Sequence, residues 1–163
     1  LFVLNLDGSI VRQLTDNHVS DEQPAWSPDG GFIAFKSDRT GDVELFVMRP
    51  DGTEIRQLTD SPGEDWNPAW SPDGRSLAFA SNRNGNWDIF VMLPDGTEIR
   101  QLTDSPDTDL EPVWSPDGKQ LAFTSNRDGR LEVFLLEVSS QDISKTGITG
   151  IPADWRYSEG SEE

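Results

Sequence analysis

The 163-residue chain carries 30 acidic against 13 basic side chains, a formal net charge of −17, so phosphate backbones and anionic membrane surfaces repel it and nucleic-acid binding is argued against. It has no cysteine and one histidine, His18, which excludes disulfides, thiolate metal sites, a cysteine nucleophile and any two-histidine mechanism. No apolar run approaches the roughly 20 residues of a membrane-spanning helix, while six Trp and eight Phe can anchor a core at a hydrophobic content of only 34%.

The chain opens at Leu1 inside an apolar run, without an initiator Met or the pattern of a signal peptide, as a fragment would. Residues 1–15 read as two short strands about the turn Asp7-Gly8. The first complete unit of four strands follows at about 24–59, and the second at about 68–103. In the second unit, strand a is expected at Pro68–Ser71, ended by the turn Pro72-Asp73-Gly74. Strand b is expected at Ser76–Ser81, then the hairpin Asn82-Arg83-Asn84-Gly85, strand c at Trp87–Leu93 and strand d at Glu98–Thr103. These runs are rich in β-branched and aromatic residues and are bounded by turn formers. None shows a 3.6-residue period over ten residues, so almost no helix is expected. A third unit has strands a to c through about Val138, and Ile143–Thr149 reads as a degenerate strand d. Gly147-Ile148-Thr149 and Asp154-Trp155 loosely echo Leu58-Thr59 and Asp65-Trp66, before an acidic tail, Ser158–Glu163.

Repetition organises the whole chain. WSPDG begins at Trp26, Trp70 and Trp114, and QLTD at Gln13, Gln57 and Gln101, each 44 residues apart. Residues 46–89 and 90–133 share 30 identities in 44 positions, which only duplication produces. Four antiparallel strands in 40–45 residues is the period of a propeller blade. The small residues Ala34, Ala78 and Ala122 fall on one face of strand b and the large residues Phe35, Phe79 and Phe123 on the other, as close blade-to-blade packing requires. The Trp of WSPDG is expected in that packing.

The string D-x-x-P-A-W-S-P-D-G, then L-A-F-x-S-N-R-x-G, then D-I-F-V-M resembles the WD-like repeat of TolB-type β-propellers over about residues 1–138. The resemblance implies an all-β, six- or seven-bladed propeller, usually in the bacterial cell envelope and periplasmic, that acts by binding proteins. TolB itself is a partner of a peptidoglycan-associated lipoprotein. Similar blades occur in receptor-like kinase sensors and in propellers that gate serine peptidases, so an accessory domain of a larger enzyme is the alternative. The units divide as a half blade at 1–16, blades at 17–60, 61–104 and 105–150 within a propeller of 1–155, and a tail at 156–163. About three and a half blades do not close a propeller. Further blades upstream of Leu1, or self-association, are therefore expected.

In an up-and-down blade the a–b and c–d turns lie on one side of the propeller, and the d–a and b–c connections on the other. The first side is constant here: S-P-D-G three times, and Asp7-Gly8, Asp51-Gly52 and Asp95-Gly96. The second varies, with Glu22, Trp66 and Leu110 at one position and Val43, Trp87 and Leu131 at another. This side is the expected recognition surface for a protein or peptide partner, basic because the chain is acidic. Trp66 and Trp87 serve as aromatic anchors, beside Glu22, Asp65, Asp109 and Leu110. Plain drift in unconstrained loops would give the same pattern.

Asp21, Asp65 and Asp109 recur before strand a. A short carboxylate there bonds the backbone of its own turn, or three of them form an acidic ring at the channel mouth. Asp104, Asp107, Asp109 and Glu111 are the densest oxygen set for a Ca²⁺ or carbohydrate site, although no EF-hand spacing occurs. Arg39, Arg83 and Arg127, in S-[DN]-R-x-G, are expected to bridge neighbouring blades. No nucleophile elbow, phosphate loop or dinucleotide fingerprint is present, and the chain reads as non-catalytic without a cofactor.

Overall fold

The computed structural model describes residues 1–152, and within them every regular element is a strand. The echo at Asp154-Trp155 and the acidic tail lie outside the described residues. Strands β1 (Phe2–Leu4) and β2 (Ile10–Gln13) form a two-stranded antiparallel sheet. Three four-stranded antiparallel meanders follow. The first joins β3 (Asp21–Trp26), β4 (Ile33–Ser37), β5 (Glu44–Met48) and β6 (Arg56–Gln57). The second joins β7 (Asp65–Trp70), β8 (Leu77–Ser81), β9 (Asp88–Met92) and β10 (Arg100–Gln101). The third joins β11 (Asp109–Trp114), β12 (Gln120–Ser125), β13 (Glu132–Glu137) and β14 (Ile143–Thr149). The degenerate fourth strand of the third unit is therefore real, and at seven residues the longest of its kind.

The blades pack as the alternation along strand b requires. Ala34, Leu45, Val47 and Leu58 of the first complete blade meet Leu77, Phe79, Phe90 and Met92 of the second. Ala78, Ala80, Ile89, Val91 and Leu102 of the second meet Leu121, Phe123, Phe134 and Leu136 of the third. Each junction thus sets a shallow alanine face against a Phe/Leu/Met face, and Phe35, Phe79 and Phe123 are fully buried. Burying each such side chain contributes about 1.5–3 kcal/mol. The Trp of WSPDG seals the same junctions: Trp70 Nε1 donates to Ala25 O at 3.1 Å and Trp114 Nε1 to Ala69 O at 3.0 Å, one blade back. Trp26 lacks that preceding strand and is 48% exposed.

Among strands of equal rank, only the backbones of the first strands β3, β7 and β11 come close to one another, so these strands line the inner side of the arc. They begin earlier than their sequence suggests. Strand a reaches back to Asp65, three residues before the expected start at Pro68, because a bulge accommodates the proline. Trp66 pairs with Ala80 and Ala69 with Ala78, leaving one extra residue on β7. Pro68 has no N–H to give the ladder and sits within that irregularity. The same shift recurs after Glu22 and Leu110, with Gln23, Asn67 and Glu111 at φ between 52 and 57°. Strand d is shorter than expected, since after Gln101 both Leu102 N and Thr103 N turn to Ile89 O.

Candidate functional site

The recurrent acid–base pairs are built first from the motif S-[DN]-R. Arg83 follows β8; its Nη2 donates to Asp65 Oδ1 and Oδ2 at 3.1 and 2.9 Å, and its Nε to Ser81 Oγ at 2.9 Å. The guanidinium lies over Phe79 and Phe90, 5.3 and 5.0 Å from the ring centres. Arg127 repeats this with Asp109 and Arg39 with Asp21. Two expectations are corrected here. The arginines bind within their own blade rather than between blades, because β7 and β8 are paired and bring Asp65 opposite Ser81. The aspartates serve these arginines rather than their own turns. Asp65 and Asp109 are wholly buried, so neither can touch a partner, which removes them from the expected contact surface and dissolves the acidic ring. The middle residue of the motif binds the d–a loop: Asp38, Asn82 and Asn126 accept the backbone N–H of Ser20, Glu64 and Thr108.

A second acidic row was legible only as a period and was missed. Glu44, Asp88 and Glu132 stand 44 residues apart at the start of strand c, and all are buried. Glu44 accepts from Thr59 Oγ1 at 2.6 Å and from Ser61 N at 2.8 Å. Burial pushes its carboxyl up to about 7, and the neighbouring Asp65 of the next blade adds to the rise. Asp88 is also raised by burial, opposed by bonds from Ser105 N and Thr103, with Asp109 beside it. Gln101 Nε2 and Asn86 Nδ2 give it two further donors at 2.9 Å. Glu132 is held below its ordinary value, chiefly by Lys145, with Arg130 assisting.

Of the residues expected for recognition, the two tryptophans are in contact. Trp66 on β7 and Trp87 at the end of the b–c loop form a tilted pair with ring centres 4.5 Å apart. Lys36 of the preceding blade stands 4.6 Å over the Trp66 ring and pairs with Glu22 at 3.0 Å. Leu110 and Trp87 both pack on the core of the second junction, and Asp109 N donates to Trp87 O. A partly exposed strip therefore runs from Glu22 through Lys36, Trp66 and Trp87 to Leu110 across three blades. Within it, the bulge at Asn67 adds a residue directly after Trp66. Among the described residues every Lys and Arg on this side is already ion-paired: Lys36, Arg39, Arg83, Arg127, Arg130 and Lys145. Asp16, Asp38, Asp42, Asp60, Glu64, Asp104 and Asp107 keep no basic partner among the described residues, so the loops around the strip present negative charge.

The possible calcium set is not assembled. Asp109 is bound to Arg127, Asp107 turns to Ser105, and Glu111 lies near Thr124. Among the described residues no three His, Cys, Asp or Glu side chains are grouped so as to hold a metal ion.

Four-stranded antiparallel meanders, stacked face to face with their first strands innermost, define a β-propeller. The chain belongs to the TolB β-propeller domain family (PD40), whose model matches residues 54–156. It is similar to TolB from Acinetobacter baumannii at 25% identity and a TM-score of 0.77, over 91% of this chain and 37% of that one. A puromycin-hydrolyzing peptidase of Mycobacterium tuberculosis matches with a TM-score of 0.70 at 21% identity, over 86% of this chain and 24% of the peptidase. Dipeptidyl-peptidase 5 of Porphyromonas gingivalis is 47% identical over 45 residues, which is 28% of this chain and 7% of that enzyme. The chain thus spans well under half the length of each of these relatives.

Proposed function

We propose that this propeller is a non-catalytic binding module that presents its d–a and b–c side to a cationic protein or peptide, in an extracytoplasmic setting such as the family resemblance implies. One observation carries the reading. Trp66 and Trp87, which the other blades replace by Glu22 and Leu110 and by Val43 and Leu131, meet in a single partly exposed pair. A fold that needed aromatics there would keep them in each blade. Aromatic anchors surrounded by charged rims are the usual energetic centres of interfaces. The unpaired carboxylates around the strip favour basic partners and accelerate their arrival in a salt-dependent way.

The test is selection of binding peptides from a displayed library by the 163-residue chain, followed by titration calorimetry. Trp66→Ala and Trp87→Ala are expected to weaken the selected peptides about tenfold or more, while Asp95→Asn on the opposite side leaves them unchanged. Equal losses on both sides would refute the assignment of the face. The likeness to the two peptidases supports a second reading, in which the propeller is an accessory domain beside a catalytic one. The sequence adjoining it in the full reading frame separates the two.

A further inference from the structure

The junction between the first and second complete blades contains an ionisable pair without enough positive charge. Glu44 from β5 and Asp65 from β7 are both almost completely buried. The two chain segments are tied together, since Asp65 N donates to Val43 O at 2.9 Å. Arg83 covers Asp65 with two bonds. Among the described residues Glu44 receives only neutral donors, Thr59 Oγ1 and Ser61 N. The other charged groups described nearby give it no cation. Asp42 precedes it in the b–c loop, Asp60 and Glu64 lie in the loop that runs on from Thr59, Arg39 is engaged by Asp21 and Lys36 by Glu22. The equivalent positions solve the same problem differently: Asp88 gathers four donors, and Glu132 has Arg130 and Lys145. Glu44 alone among these three has neither.

We propose that Glu44 and Asp65 form a proton-operated latch between the two blades, closed when Glu44 carries the proton and loosened beneath Trp66 when it does not. With the proton present, Glu44 is neutral and can donate to Asp65, and one guanidinium balances one carboxylate. Without it, two buried carboxylates face each other across the junction with a single cation between them, and like charges in a dry site repel strongly. Trp66 directly follows Asp65, meets Trp87 in a tilted ring contact and lies under Lys36 of the preceding blade, so separation at Asp65 disturbs the aromatic pair first. The native state keeps a proton that the unfolded chain releases near 4.5, and gives it up only at about 7. Stability therefore falls as pH rises between those values and levels off above them.

Thermal unfolding of the 163-residue chain between pH 4.5 and 8.5 tests the latch, with tryptophan fluorescence recorded in parallel. The wild type is expected to lose about 5–10 °C in Tm across the window and to show a fluorescence transition centred near 7. Glu44→Gln removes that transition and melts higher than the wild type at pH 8, whereas Asp88→Asn keeps the transition. Carbon-13 NMR of the wild-type glutamate carboxyls reads Glu44 directly and does not depend on any variant folding. A Glu44 carboxyl that titrates near 4.5, or a fluorescence transition that persists in Glu44→Gln, would overturn the proposal. No partner enters the experiment, so it stands or falls apart from the recognition reading.

Discussion

Arg83 performs three tasks with one planar group: its Nη2 bonds both oxygens of Asp65, its Nε bonds Ser81 Oγ, and its plane covers the rings of Phe79 and Phe90. Lysine can supply the charge but neither the second nitrogen for Ser81 nor the stacked plane. Arg83→Ala leaves Asp65 buried without its cation and is expected to cost about 3–5 kcal/mol in urea unfolding. Arg83→Lys should recover only part of that loss. The turn aspartates Asp29, Asp73 and Asp117 work at lower stakes. Each accepts from the Ser two residues earlier and from a backbone N–H, and these bonds hold its carboxyl below the usual range. Their contribution is present above the ordinary carboxylate pKa and is lost as pH falls below it.

At the scale of the strand, blade spacing is set by the alanines of β4 and β8. Ala78 and Ala80 are fully buried against the third blade, so Ala78→Leu must push the two sheets apart. It should destabilise by about 1–3 kcal/mol as overpacking does, read as a lower urea midpoint at unchanged slope. The turns separate two costs that the sequence shows as one glycine. At Gly96, φ is +90° and a Cβ would lie 2.6 Å from Leu58 O of the preceding blade; at Gly85, φ is +105° and nothing lies within 4 Å. Gly85→Ala therefore meets backbone strain alone, about 1–3 kcal/mol. Gly96→Ala meets that strain and a clash with backbone, and should be the more destabilising of the two in the same assay. The ordering follows because the c–d turn of one blade rests on the d strand of the blade before it, which also explains why Arg56 reaches forward to Pro94 O and Asp95 O.

For the whole molecule, the first sheet has only two strands, and Phe2, Leu4, Leu6, Ile10 and Val11 are exposed on it together with Trp26. Contiguous apolar surface of this kind drives association. Light scattering of the 163-residue chain at rising concentration is expected to show self-association, which Leu4→Lys with Ile10→Lys reduces; unchanged association would place the contact elsewhere. The net charge of −17 acts against such contacts at low ionic strength, so added salt should promote them. Taking both ends of the titration together, stability should peak on the acidic side of neutrality, where the turn aspartates are ionised and Glu44 is protonated.

Much of this was decided by the sequence alone. The 44-residue period, the alternation of Ala and Phe along strand b and the D-G turns specify blades, their strand order and the face each residue occupies, because a period of two on a pleated strand leaves no other assignment. The variable loop positions likewise single out Trp66, Trp87, Glu22 and Leu110. What the sequence could not supply was distance between units. That Trp66 and Trp87, 21 positions apart, share a ring contact goes with a bulge that no propensity announces, by which β7 reaches back to Asp65 past the proline at which the strand was expected to begin. The pairing of Asp65 with Arg83 inside one blade, and of Glu44 with Asp65 across two, follows from the register of β7 on β8 and from the stacking of sheets. Burial decides the rest: an Asp before a strand looks like a turn residue in one dimension, and only the packed structure removes it from water and obliges it to find a cation or a proton.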